Sequence, residues 1–175
     1  MKKTIFAIIA LGIVVIVTSC KKSDTNNNSN TGGSFTFKVD GVSVTADSAT
    51  ATLYTLGVPP FNRMIDVYVF QGSSVSGGIT IPNQVMEMHF LPKTGAQTVS
   101  PTFADAWLTY STYAAGNPVP TGSYDGTAGA FNLSVCDTVG KKLTGTFNFT
   151  GTATIGSGTK TITEGNLVVN TMTIQ

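Results

Sequence analysis

The sequence predicts an all-β protein, an antiparallel β-sandwich or barrel-like sandwich of about 8–10 short strands. Two observations support this fold class. Apolar residues alternate with polar ones in short runs, and Gly, Pro and Asn separate these runs at short intervals. In addition, the chain of 175 residues is rich in Thr, Val and Phe, which favour strands over helices.

The first predicted element is a β-hairpin over residues 34–46. Apolar and polar residues alternate on both sides of Asp40-Gly41. This dipeptide suits a two-residue type I′ turn, because both of its central positions need a positive φ. The turn places Val39 opposite Val42 and Phe37 opposite Val44, so that the apolar side chains share one buried face.

The other predicted strands lie between turns that contain Gly, Pro or Asn. They cover residues 50–56, 64–71, 85–91, 106–113, 129–136, 142–150 and 165–174. Residues 72–78 and 92–95 are interpreted as breaks between strands. A short helix over residues 102–109 is an alternative in that region.

The N-terminus has the features of a signal peptide. Lys2 and Lys3 precede an apolar run from Ile5 to Val17. The run is shorter than the roughly 20 residues of a membrane-spanning helix and matches the apolar core of a signal peptide. Ser19-Cys20 closes the run and resembles the lipobox of bacterial lipoproteins. That resemblance implies acylation of Cys20 and cleavage after Ser19; the alternative is an ordinary secreted protein.

This interpretation divides the chain into three parts: a lipoprotein signal peptide (1–19), an acylated Cys20 with a flexible polar tether (20–34), and a single β domain (35–175). Residues 21–34 contain no apolar side chain and cannot bury enough surface to become ordered. The lipid bilayer is then a partner through Cys20. With Cys20 acylated, Cys136 is expected to be an inert structural thiol, on the strand face opposite Phe131, Leu133 and Val135.

Composition excludes some functions. Charged residues make up 11% of the chain and the net charge is +1, so there is no basic surplus to bind nucleic acid. The single histidine, His89, shares a strand face with Glu87. Such a pair could begin a metal site, but zinc needs three or four ligands. We therefore interpret this face as solvated and polar, and we predict no metal and no cofactor.

Asp66, Tyr68 and Phe70 share one face of another predicted strand, either as part of a binding surface or as protection of an edge strand against aggregation. The sequence has no G-x-S-x-G nucleophile motif and no carboxylate pair with glycosidase geometry. An enzyme is therefore not predicted.

The candidate ligand contacts are aromatic: Trp107, Tyr110, Tyr113 and Tyr124 lie close together in the sequence. Exposed Trp and Tyr offer a flat apolar surface with a polar group, which suits sugar rings and peptides. The alternative is that Trp107 and Tyr113, an even number of residues apart, fill the core.

Several motifs together resemble small lipoproteins of Bacteroidota classed as a domain of unknown function. They are the lipobox, the polar tether, Phe-x-Phe-x-Val-Asp-Gly at 35–41, Lys-Leu-Thr-Gly-Thr-Phe-Asn-Phe at 142–149 and Ile-Thr-Glu-Gly-Asn-Leu at 162–167. Val42 departs from the pattern, because many such proteins place Trp after the Asp-Gly turn. The resemblance implies an outer-membrane lipoprotein, on the periplasmic side or the cell surface, without supplying a chemistry.

The same resemblance implies possible O-glycosylation. Bacteroidota attach O-glycans at Asp-Ser or Asp-Thr followed by a small or aliphatic residue. Ser48 in Asp47-Ser48-Ala49 and Thr138 in Asp137-Thr138-Val139 fit that pattern.

From these observations the chain is expected to be a non-catalytic binding module for a carbohydrate or an envelope protein. The alternative is a structural or assembly subunit of a cell-envelope complex. Such a subunit would offer an unpaired edge strand to its partner, for which residues 167–175 are the candidate.

Overall fold

The prediction of an all-β, mainly antiparallel protein is confirmed. The structure is a computed structural model that describes residues 33–55, 63–102 and 105–175. In these residues 11 strands form one mostly antiparallel sheet, which curls strongly into a half-barrel.

The strands are longer and more numerous than the sequence suggested. In chain order they are β1 (Ser34–Val39), β2 (Val42–Thr45), β3 (Ser48–Thr55), β4 (Arg63–Ser76), β5 (Ile79–Phe90), β6 (Gly95–Thr98), β7 (Ala106–Tyr113), β8 (Pro120–Asp137), β9 (Lys142–Ile155), β10 (Thr159–Val169) and β11 (Thr173–Ile174). Their order across the sheet is β11-β3-β4-β5-β7-β8-β9-β10-β1-β2, and β6 pairs with β8 beside this path. Only β11 with β3 is a parallel pair of strands among the described residues.

The sheet curls because one continuous stretch of chain belongs to both of its ends. Only Ala46 and Asp47 separate β2 from β3. The Ala46 amide donates to the Phe35 carbonyl of β1 over 3.0 Å, and the Asp47 amide donates to the Phe70 carbonyl of β4 over 3.0 Å. The two ends of the sheet therefore meet at this point, and the sheet encloses an inner face.

The inner face carries the hydrophobic core. Phe90 and Phe131 are both fully buried, with ring centroids 4.4 Å apart. Phe35 and Phe147 are also buried, and their ring centroids are 5.2 Å apart. Alternation along each strand, with a period of two residues, delivers these side chains to one side of the sheet.

The hairpin predicted over residues 34–46 is confirmed. Asp40 and Gly41 have φ values of 49° and 83°, as a type I′ turn requires. Val39 pairs with Val42 and Phe37 with Val44. Val42 is nevertheless 69% exposed, because it directly follows the turn at the open end of the sheet.

The predicted break over residues 72–78 is confirmed at Gly77-Gly78 but is wrong for residues 72–76. β4 continues to Ser76 and turns back into β5 at Gly77-Gly78. Gly72 adopts a φ of 62°, and its amide donates to Asp47 Oδ2 over 2.6 Å. The pairing of β4 with β3 stops at Phe70, opposite Ser48. Just beyond it, the Asp47 side chain gives the Gly72 amide a hydrogen-bond acceptor.

Two other predictions near residue 100 were incomplete. The strand over residues 106–113 is confirmed as β7, so the alternative helix over 102–109 is wrong from Ala106 onward; Phe103 and Ala104 lie outside the described residues. β6 is not among the strands predicted from the sequence. Its Gln97 is 2% exposed and donates to the carbonyls of Leu91 and Lys93, which ties β6 to the preceding segment, while backbone pairing joins β6 to β8.

Cys136 does not lie opposite the core face, as the alternation suggested. The pairing of β8 with β9 shifts register between Leu133 and Val135. An extra residue in one strand reverses the alternation beyond it. Val135 is therefore 41% exposed, whereas Cys136 packs against the core, and burial raises the pKa of its thiol.

The predicted signal peptide, the predicted acylation site Cys20 and nearly all of the predicted tether lie outside the described residues. Within the part of the chain that is described, no helix is long and apolar enough to cross a membrane.

Candidate functional site

Polar and aromatic side chains gather on the outer face of β4, β5 and β7. The inward residues of these strands, such as Val67, Met88 and Leu108, are buried in the core, so their neighbours point outward. We call the resulting surface the outer patch; it consists of Asp66, Tyr68, Glu87, His89, Trp107 and Tyr113. All six side chains are half-buried although no other sheet covers them.

One row of the outer patch runs across three strands. Asp66 of β4 pairs with His89 of β5, and His89 pairs with Trp107 of β7. His89 Nδ1 lies 2.8 Å from Asp66 Oδ1. The imidazole also stacks on the indole ring, with centroids 5.1 Å apart and an angle of 25° between the planes. The carboxylate fixes the orientation of the histidine, and the histidine supports the tryptophan ring.

The second row is centred on Glu87. Tyr68 of β4 and Thr109 of β7 pair with Glu87 on either side, and Asp125 of β8 follows Thr109. Thr109 Oγ1 donates to Asp125 Oδ1 over 2.9 Å. Among the described residues, no donor is within hydrogen-bonding distance of the Glu87 carboxylate.

An apolar layer lies beside this row on the same outer face. Val85 and Ile81 are 1% and 3% exposed, yet neither belongs to the core cluster of the inner face. Val85 pairs with Phe70, whose ring centroid is 6.4 Å from that of Tyr68. These side chains reduce the access of water to the neighbouring rings and to Glu87.

The electrostatics of the patch follow from this partial burial. Burial raises the pKa of Glu87, the negative charges of Asp66 and Asp125 raise it further, and His89 opposes the shift. Burial also raises the pKa of Tyr68 and of Tyr113, and the Glu87 carboxylate adds to both effects. The ionised form of Glu87 is therefore destabilised by the folded structure.

The raised pKa of Glu87 predicts a pH-dependent effect of Glu87→Gln. The pKa of Glu87 is higher in the folded chain than in the unfolded chain, so protonated Glu87 favours folding. This contribution to the free energy of unfolding is fully present below the pKa of the unfolded chain. It is lost as the pH rises through the folded pKa. At neutral pH we expect Glu87→Gln to raise the free energy of unfolding by about 1 kcal/mol, the scale of an unpartnered, partly buried polar group.

Urea unfolding at acidic and neutral pH measures this effect. The difference between Glu87→Gln and the parent chain should shrink towards zero in acid. Glu164→Gln, which removes a carboxylate paired with Lys38 at the surface, controls for the loss of one negative charge. A lower stability of Glu87→Gln at neutral pH would contradict the prediction.

The four aromatic residues proposed from the sequence divide between the two faces of the sheet. Trp107 and Tyr113 lie in the outer patch. Tyr110 is 3% exposed in the core, where its hydroxyl donates to Gln84 Oε1 over 2.9 Å. Tyr124 stacks on Tyr110 at 6.3 Å and is partly buried against the core. Core packing, the alternative for Trp107 and Tyr113, is therefore wrong for both of them and instead describes Tyr110; the four rings do not form one surface.

The two candidate glycosylation sites lie in different settings. Ser48 opens β3 and is half-buried opposite Phe70. Thr138 is half-buried in the turn between β8 and β9. The aspartates before them have structural partners: Asp47 accepts from the Gly72 amide, and Asp137 Oδ1 accepts from the amides of Val139 and Gly140.

Alternation in the sequence predicted which residues of the outer patch share a strand face, but not that the two strands carrying them are neighbours. Alternation correctly grouped Glu87 with His89, and Asp66 with Tyr68. The pairing of β4 with β5 brings the two groups together, and the sequence analysis did not assign that register. A two-residue turn at Gly77-Gly78 would have been the signal that fixes it.

Other features of the described residues lie outside the patch. Shallow depressions of about 240 and 270 Å³ lie over β1–β2 and over β8–β10, and no patch residue lines either of them. No group of three or more His, Cys, Asp or Glu side chains in the described ranges is placed to hold a metal ion. The chain matches no protein-family model, no curated protein and no solved structure.

Proposed function

We propose that the chain is a non-catalytic binding module of an envelope lipoprotein and that it holds a carbohydrate on the outer patch. The observation that carries this proposal is the grouping of aromatic rings and carboxylates on a face open to solvent. Tyr68 and Trp107 lie on strands that flank Glu87 of β5. Sugar rings present apolar faces for aromatic side chains and hydroxyl donors for carboxylate oxygens.

The rigidity of the patch supports a binding role. Trp107 is held by His89, which Asp66 holds in turn, and all three residues lie on regular strands. Side chains that are already ordered lose little entropy when a ligand binds. A weakly binding sugar therefore loses less of its interaction energy here than it would on a flexible loop.

The proposed location rests on the N-terminal sequence. The lipobox-like Ser19-Cys20 and the polar tether suit a domain held near the outer membrane by acyl chains on Cys20. Mass spectrometry of the mature protein tests this part, since acylation of Cys20 adds the mass of the lipid to a peptide that begins at that residue.

Truncation of the patch aromatics tests the binding role. We expect Trp107→Ala and Tyr68→Ala each to weaken the affinity for a bound oligosaccharide about five- to thirtyfold, since stacked rings contribute on the order of 1–2 kcal/mol. A glycan array on the purified chain identifies the oligosaccharide. Trp107 is the single tryptophan, so its fluorescence reports binding at this site in the parent chain, and calorimetry measures the variants.

Tyr124→Ala is the matched control, because it removes an aromatic ring from the inner face. It should retain the affinity of the parent chain if it remains folded by circular dichroism. Equal losses in Tyr124→Ala and Trp107→Ala would contradict a site on the outer patch.

A structural or assembly role is the second candidate, and exposed apolar side chains favour it. Val75 and Val119 are 72% and 62% exposed. The edge suggested from the sequence, residues 167–175, is only partly occupied: β10 pairs with both β9 and β1, whereas β11 pairs only with β3 and lies at one edge of the sheet. Among the described strands, β2 lies at the other edge of the sheet and pairs only with β1. A protein partner captured through β2, together with no glycan binding, would favour this function.

A further inference from the structure

Glu87 differs from every other carboxylate that the structure describes. The other seven side chains each have a hydrogen-bond partner: Asp40, Asp47, Asp66, Asp105, Asp125, Asp137 and Glu164. Glu87 has none within the described ranges, although it is half-buried. Its carboxylate oxygens are not fully closed off from water, but partial burial with no protein donor still costs the ionised form free energy. A ligand that donates to Glu87 would supply the missing partner.

The surroundings of Glu87 favour a ligand with positive charge. Asp66 and Asp125 are close enough to raise its pKa electrostatically, so three carboxylates act on one small area. His89 interacts electrostatically with Glu87 and opposes the rise of its pKa. The Nδ1 atom of His89 is already hydrogen-bonded to Asp66 Oδ1. No Lys or Arg in the described part of the chain forms an ion pair with any of these carboxylates.

Aromatic rings complete the environment. Tyr68 pairs directly with Glu87 across β4 and β5, and Trp107 lies on the next strand beside His89. The faces of such rings attract cations, most strongly where water is partly excluded. A hydroxyl group could donate to Glu87, but an ammonium group donates, offsets the negative charge and interacts with the rings.

We propose that the outer patch selects oligosaccharides with free, protonated amino groups, with an ammonium nitrogen donating to the Glu87 carboxylate beside the Tyr68 ring. This inference rests on the proposed carbohydrate-binding function and specifies its ligand class. Glu87 is then the residue that determines specificity, while Trp107 and its support from His89 and Asp66 provide the platform for the sugar ring.

Three tetrasaccharides with the same β-1,4 linkage test the proposal on the full chain: a glucosamine tetramer, its N-acetylated counterpart and cellotetraose. Titrations are followed by Trp107 fluorescence at moderate salt, which screens non-specific attraction. They run from mildly acidic to neutral pH, because binding needs protonated amino groups and an ionised Glu87, whose pKa is raised. We expect the glucosamine tetramer to bind at least about tenfold more tightly than the other two, the scale of one charge-assisted hydrogen bond.

Variants at Glu87 identify the residue responsible. Glu87→Gln should remove the preference for the glucosamine tetramer, whereas Glu87→Asp, which keeps the charge, should retain part of it. Glu164→Gln removes a carboxylate outside the patch and should keep the full preference. Circular dichroism and a thermal melt establish that each variant is folded.

The outcomes separate the two proposals. Equal binding of all three oligosaccharides, or an unchanged preference in Glu87→Gln, overturns the selection of amino sugars and leaves the carbohydrate-binding function standing. If none of the three binds and the glycan array is also blank, the proposed function fails, and the selection of amino sugars fails with it.

Discussion

Phe131→Ala is expected to lower the free energy of unfolding by about 3–5 kcal/mol. The Phe131 side chain is fully buried, and its ring lies 4.4 Å from that of Phe90. On β8 it pairs with Phe147 of β9 on one side and with Gln97 of β6 on the other. Removing the ring leaves a cavity where β5, β6, β8 and β9 share contacts, and regular strands collapse into such a space only partly.

Urea unfolding of the purified chain measures this loss. Phe131→Leu, which keeps most of the apolar volume, should cost less than Phe131→Ala. Val139→Ala shortens a side chain that is 91% exposed and should change the stability by less than about 0.5 kcal/mol. A similar small effect of Phe131→Ala would show that the contact with Phe90 does not contribute to a tightly packed core.

The fold class was predictable because local patterns determine it. Asp40-Gly41 between two alternating segments specified the first hairpin, including the pairs Val39 with Val42 and Phe37 with Val44. Alternation also identified the outward group Glu87 and His89. These features depend on residues close together in the chain, and strand geometry relates them directly to one face of a sheet.

The features that were missed depend on distant residues. Gly72 has the sequence signature of a break, yet Asp47, from the β2–β3 junction, holds its amide and β4 continues past it. β6 lacks any alternating pattern, and the contacts of Gln97 with Leu91 and Lys93 hold it in place. In both cases side-chain hydrogen bonds override weak local propensity.

The candidate site has the same mixed origin. Sequence reasoning considered Asp66, Glu87 and His89, but as separate features with ordinary explanations. Their importance arises only when β4 and β5 pair and place Asp66 against His89. The lack of a partner for Glu87 is a property of the whole described structure, because it requires that every neighbouring strand fail to provide a donor.

Gly165→Ala is expected to lower the free energy of unfolding by about 1–3 kcal/mol, the cost of overfilling a packed core. A Cβ atom at residue 165 would lie 2.5 Å from both Cδ2 and Cε2 of Phe147. The ring cannot move aside easily, because Phe147 is 2% exposed and lies against Phe35 and Phe37. Urea unfolding of the variant checks the expected loss.

A double-mutant cycle with Phe147→Leu tests whether the ring is the cause. In that background the penalty of Gly165→Ala should fall by at least half, because the shorter side chain leaves room for the added methyl group. The same penalty in both backgrounds would place the clash elsewhere.

The result bears on register as well as packing. The pairing of β10 with β9 is irregular between Ile162 and Gly165. It becomes regular again where Gly165 pairs with Phe147, and beyond that point Leu167 pairs with Gly145 on one side and with Phe35 on the other. The absence of a side chain at residue 165 thus lets the Phe147 ring lie where the regular pairing of β9, β10 and β1 resumes.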